Sequence, residues 1–205
     1  MNTIIEDCIN KLSNYFDEFE INPPASKKLI QNLDQFYPHL NNEIIEFYSY
    51  CNGFNVNLQQ EYNKGIILSL DYIFETMEES RTGENPLFTI LFPLRNDGFW
   101  NFDCMLMNNS IGDGSIVFWD NGTSPDPDHL LASSLEKYFT FLTDYLITRY
   151  HQNGQIKFEY DINNPKMLNY PWPYNYKWIT NFDSKFAELE NDNEFKKLFY
   201  TRKPM

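Results

Sequence analysis

Between Asn22 and Gly53 the chain sets two prolines, two capping residues and an Asn-Gly stop around short apolar stripes, and this punctuation leaves room for two brief helices only. Pro23-Pro24 cannot continue a helix, because proline lacks the donor and clashes with the preceding turn. Ser26 then predicts an N-cap, its hydroxyl taking a free backbone N–H ahead of Leu29, Ile30, Leu33, Phe36 and Tyr37. Lys27 and Lys28 sit awkwardly at that helix's positive end. Pro38 stops it. Asn41 predicts the next cap, before Ile44, Ile45, Phe47, Tyr48 and Cys51, and Asn52-Gly53 supplies the left-handed residue that closes the helix.

The flanking segments set the fold class. Thr3-Ile4-Ile5-Glu6 fits a capping box, and Ile4, Ile5, Cys8, Ile9, Leu12, Tyr15, Phe16 and Phe19 recur at helical spacing behind it. Gly65 to Leu68 predicts a short strand, and Leu70 to Ser80 a short helix with Glu75, Glu78 and Glu79 on a solvated acidic face. Leu87 to Phe92, Phe99 to Met107 and Ser115 to Trp119 predict three strands. Asn96-Asp97-Gly98 and Gly112-Asp113-Gly114 are turn chemistry suited to antiparallel neighbours, since Asn, Asp and Gly tolerate positive φ. A second capping box, Ser133-Ser134-Leu135-Glu136, opens a long helix that Asn153-Gly154 ends. Helices, then strands, then a helix predict an α+β fold: a mostly antiparallel β-sheet packed by N-terminal helices and a long C-terminal helix.

Composition narrows the function classes. The 205 residues are 42% apolar, enough for one sizeable core, and no apolar run reaches the length that spans a bilayer. The N-terminus lacks a secretory pattern, so a cytoplasmic protein is expected. A net charge of −13 repels phosphate backbones and anionic lipids and attracts cationic surfaces, which disfavours nucleic-acid and membrane partners. Cys8, Cys51 and Cys104 each stand inside an apolar pattern and predict buried thiols in a reducing compartment. With His39, His129 and His151 they form no metal-ligand spacing, so neither a metal nor a cofactor is expected.

The opening segment, with its Pro-Pro-Ala-Ser helix start, proline break, second helix and Asn-Gly, resembles the N-terminal half of the SMI1/KNR4 (SUKH) domain. The likeness extends over residues 4–150 through Phe92-Pro93-Leu94 and the turn after it, Gly114-Ser115-Ile116-Val117-Phe118-Trp119-Asp120, and the helix from Leu131-Ala132-Ser133-Ser134-Leu135 to Leu142. It implies a non-enzymatic binder of the bacterial immunity type, which neutralises a cognate toxin, commonly a nuclease or deaminase. Fungal relatives imply an alternative, an intracellular regulatory scaffold in cell-wall assembly and signalling. The acidic balance suits a basic toxin, because steered association speeds capture.

The expected division is a family-like domain over residues 1–153 and an aromatic-rich extension over 154–205, packed on the same unit because its aromatics would otherwise aggregate. Within the extension, Asp183 to Tyr200 predicts an amphipathic helix. The candidate protein-binding surface joins Glu75, Glu78, Glu79, Asp97, Asp126 and Asp128 to Trp172, Tyr174 and Trp178, since an interface needs an aromatic centre and a charged rim. The Tyr/Trp run fits equally a proline-stiffened loop packed over the core. A carboxylate hydrolase using Asp97, Asp103, Asp120 or Asp126/Asp128 is the remote enzymatic alternative, because these residues also sit where turns want short polar side chains.

Overall fold

The computed structural model describes residues 2–37, 40–59, 66–80, 90–96, 101–107, 111–120, 126–157, 172–173 and 176–199, and of 77–80 the backbone alone. Helix α1 spans Thr3–Tyr15 and buries Ile5, Cys8, Ile9 and Leu12, the predicted stripe. Its N-cap is Asn2, whose side-chain oxygen accepts from the Ile4 N–H at 2.9 Å. Thr3 is therefore already helical, one residue inside the predicted box. The stripe also stops short of Phe19. Phe16 turns extended, and strand β1, Phe19–Ile21, pairs antiparallel with β2, Phe54–Val56, so a ladder takes over the backbone groups a longer helix would have used.

The two punctuated helices form as predicted. Helix α2, Lys27–Phe36, is capped by Ser26 accepting from Leu29 N–H at 3.3 Å, and α3, Asn42–Tyr50, by Asn41 accepting from Glu43 N–H at 3.0 Å. Asn52-Gly53 does more than end α3. The Asn52 side chain accepts from Leu70 N–H at 2.8 Å and donates to Asp71 at 2.7 Å, so the stop of α3 also holds the start of α4, Leu70–Ser80. Gly53 has φ +80 and lies against the Ile67 and Leu68 carbonyls. The strand predicted at 65–68 reduces to a single bridge between Ile67 and Phe54, with Gly65 outside the described residues.

Strands β3 (Leu91–Asn96), β4 (Asn101–Leu106), β5 (Ile116–Asp120) and β6 (His129–Ala132) form one antiparallel sheet in the order β3-β4-β5-β6. The α+β expectation holds. Strand β3 runs to Asn96 and thus into the predicted turn, while residues 87–89 and Asp97-Gly98 lie outside the described residues. Strand β6 was expected as loop and helix lead-in. Its His-Leu-Leu-Ala has no alternation to announce it, and pairing with β5 makes it a strand.

Helix α5, Leu135–Arg149, packs along α1, with Lys11 paired to Asp144 at 2.9 Å. Its cap is Ser134, accepting from Lys137 N–H at 3.2 Å, because Ser133 is engaged elsewhere. The predicted terminal helix breaks into α7 (Ser184–Asn191) and α8 (Asn193–Lys196), preceded by α6 (Tyr176–Phe182). Asp192 makes the break by capping Glu194 and Phe195 at 2.8 and 3.0 Å. No helix among the described residues is long and apolar enough to cross a membrane.

Trp172, Ile179, Phe186, Leu189 and Phe195 belong to the same buried cluster as Leu12, Phe47 and Phe139. Phe195 is fully buried with its ring against Gly112, where a Cβ would strike ring atoms Cε2 and Cδ2. Gly112→Ala is expected to lift α8 from this seat at a cost of about 1–3 kcal/mol. Hydrogen exchange should show that loss concentrated in residues 184–199.

Candidate functional site

Antiparallel register sets Arg95, Asp103, Phe118 and His129 opposite one another on consecutive strands, and residues so paired project from one face of a sheet. The row grades outward. Asp103 is 5% exposed and accepts from the Tyr138 hydroxyl of α5 at 2.7 Å, with the Arg95 guanidinium at 3.5 Å. At the other end His129 is exposed, its ring 5.1 Å from that of Phe118. Asp103 thus stands in the middle of β4, inside the strand predicted from Phe99 to Met107. The signal that could have found it is a lone charge inside the otherwise apolar run from Phe102 to Leu106.

Burial pushes the Asp103 carboxyl above the usual range, against the opposing pull of the Arg95 charge and the Tyr138 hydroxyl. The folded chain therefore holds this proton to higher pH than the unfolded chain, whose carboxyl titrates near about 4. The cost of the buried charge sets in as pH rises through that window, and stability falls with it. Asp103→Asn is expected to remove this part of the slope, so that the variant gains on the parent from about pH 4 upward. Urea denaturation of both proteins at a series of pH values measures the difference.

The predicted binding residues occupy separate elements. Glu75 is exposed on α4, beside Phe74. Glu78 and Glu79 fall in the last turn of the same helix, their side chains outside the description, while Asp97 and Tyr174 lie outside the described residues altogether. Asp126 is exposed ahead of β6. Asp128 is half-buried, its carboxylate accepting from the Asp120 N–H at 2.8 Å, the backbone-closing work of a turn aspartate.

For Trp172 the structure fits the loop packed over the core and not the exposed aromatic centre. It is 2% exposed, its Nε1 donates to the Leu131 carbonyl at 2.9 Å, and its ring meets Tyr138 and Tyr145 edge-on at 5.7 Å. An indole whose only polar group is satisfied by β6 belongs to the core. Trp178 is half-buried between Phe141 at 5.3 Å and Phe182 at 4.7 Å, and Phe182 is 56% exposed.

Asp183 is a residue that sequence reasoning missed as anything but a helix start. Its carboxylate is 2% exposed and accepts from Ser133 N–H at 2.9 Å, Ser133 Oγ at 2.6 Å and Phe186 N–H at 3.0 Å. Together with the Trp172 bond it satisfies polar groups at the end of β6, the last strand in the sheet order. The thiols of Cys8, Cys51 and Cys104 are buried and free, and burial pushes that of Cys51 up to about 12. Among the described residues no group of His, Cys, Asp and Glu could hold a metal ion.

Helices packed on an antiparallel sheet define an α+β domain. Residues 24–140 match the SMI1 / KNR4 family (SUKH-1), more than half of the 205-residue chain, and the chain belongs to that family. Its domains are in general non-enzymatic binding modules of the immunity-protein type. No curated protein and no solved structure matches the chain.

Proposed function

We propose that this protein is an immunity protein that binds and neutralises a cognate bacterial toxin with a basic surface, of nuclease or deaminase type. Membership of the SMI1/KNR4 family over residues 24–140 carries the reading. The net charge of −13 supports it, since an acidic binder draws in a basic toxin and excludes the nucleic acid such a toxin would hold. Binding alone suffices for neutralisation when the complex buries the toxin's working face.

Co-expression with the toxic product of the adjacent reading frame is expected to restore growth, and the two proteins should co-purify as one tight complex. Continued toxicity together with separate elution would overturn the pairing. Recovery of several unrelated partners in place of one would favour a regulatory scaffold.

A further inference from the structure

Strand β1 pairs with β2 along one edge only. The Asn57 N–H donates to the Glu18 carbonyl at 3.4 Å and the Asn22 N–H to the Gly53 carbonyl at 3.1 Å, so Glu18, Glu20 and Asn22 turn their backbone groups toward β2. Those of Phe19 and Ile21 point the other way. The Asp17 N–H, outward like theirs, donates to the Gln152 carbonyl at 2.9 Å, but among the described residues nothing pairs with the outward N–H and C=O of Phe19 and Ile21. The far side of β2 is bridged by Ile67, so the open edge belongs to β1.

The two faces of this edge differ in chemistry. Residues opposite one another share a face, which puts Glu20 with Asn55, and Phe19 and Ile21 with Val56 and Phe54. The first face is acidic. Glu18 and Glu20 are exposed there, and no lysine or arginine stands between Leu12 and Ser26. Lys157, which shares a cavity with Asp17, is held by the Ile147 carbonyl and the Tyr15 hydroxyl at 2.6 and 2.8 Å. The second face is apolar and runs outward from the buried Val56 and Phe54 to Ile21, which is 46% exposed. A second copy fits this edge poorly, because the antiparallel register that bonds Phe19 to Ile21 of the other copy sets Glu20 directly against Glu20, and like charges so placed destabilise. A strand whose basic residues alternate with apolar ones complements both faces.

We propose that the outer edge of β1, from Phe19 to Ile21, is where a partner protein adds an extended segment with lysine or arginine side chains alternating with apolar ones. It rests on the toxin-binding reading and names where on this chain the toxin would sit. Backbone bonds to Phe19 and Ile21 hold the segment, Glu18 and Glu20 steer its charges, and Ile21 packs beside one of its apolar side chains. Pro23-Pro24 keeps the pairing short, since proline offers no N–H to a ladder.

Surface plasmon resonance tests it, with the active-site-inactivated product of the adjacent reading frame immobilised and the full chain in solution, together with hydrogen exchange on the same complex. Ile21→Pro removes an N–H that β2 does not use and is expected to weaken binding by roughly tenfold or more. Glu20→Lys should slow association by roughly threefold or more in low salt, with the loss shrinking as salt rises. In the parental complex the Phe19 and Ile21 amides should exchange roughly tenfold or more slowly than in the free chain. Glu188→Lys on α7 should stay within about twofold of the parent. Glu20 is exposed and the exchange measurement uses the parent, so these two carry the test should Ile21→Pro fail to fold. Parental binding that leaves both amides unprotected and that neither edge variant alters overturns this docking edge and leaves the toxin-binding reading standing. Failure of the parent itself to bind overturns the toxin-binding reading, and this edge with it.

Discussion

Asp183→Ala is expected to destabilise the protein by about 3–5 kcal/mol, because it strips three hydrogen bonds from one buried carboxylate. The loss exceeds the bonds themselves. The Ser133 and Phe186 N–H groups would be left beside an apolar methyl in a site only 2% exposed, and each buried unsatisfied donor costs about 1–3 kcal/mol. The damage should also be directional. Ser133 belongs to the family-matched region and Asp183 to the segment beyond it, so the variant should free residues 176–199 before the sheet unfolds. Asp183→Asn, which keeps one acceptor oxygen, should recover about half of the stability. Urea denaturation gives the magnitude, and limited proteolysis with mass spectrometry shows whether cleavage begins in α6 to α8. Uniform protection of that segment in the alanine variant would show that Asp183 does not fasten it.

Gly53→Ala should cost about 3 kcal/mol or more, and here the cause is the backbone. At φ +80 an alanine already carries left-handed strain of about 1–2 kcal/mol. Its Cβ would in addition collide with the Ile67 carbonyl oxygen and lie 2.8 Å from that of Leu68. These are main-chain atoms. Relief therefore requires displacing the 67–68 segment, which pairs with Phe54 and leads into α4. The bonds from Asn52 to Leu70 and Asp71 should loosen in consequence. A fall in the thermal midpoint with amide exchange at Leu70 rising early is the expected signature. An unchanged midpoint would show that the turn accommodates a side chain.

Caps were legible in the sequence where their partners are local. Ser26 and Asn41 reach N–H groups within three residues. At Ser133-Ser134 the same local rule slips by one position, because Asp183, fifty residues on, takes the first hydroxyl and leaves the second to cap α5. Strand β6 and the β1–β2 pair were illegible for a related reason, being three or four residues long and made strands by what pairs with them.

The acidic half of the candidate surface was visible in composition and in the run of glutamates on α4. Its aromatic half was not. Trp172 stands in a proline-rich run that reads equally as an exposed aromatic centre or as a loop packed over the core. An exposure of 2% places it in the core, the second of these. Periodicity reports which residues share a face of an element, and it carries no information on whether another element arrives to cover that face.

The sequence alone determined the α+β class, the two short helices between Asn22 and Gly53, and a net charge of −13, since each depends on local stereochemistry or on composition. Only the tertiary structure decided that Asn52-Gly53 joins α3 to α4, that Asp183 and Trp172 satisfy polar groups at the end of β6, and that Trp172 lies in the core. Those outcomes depend on contacts between residues far apart in the chain, and burial is a property of the packed molecule that no stretch of residues holds by itself.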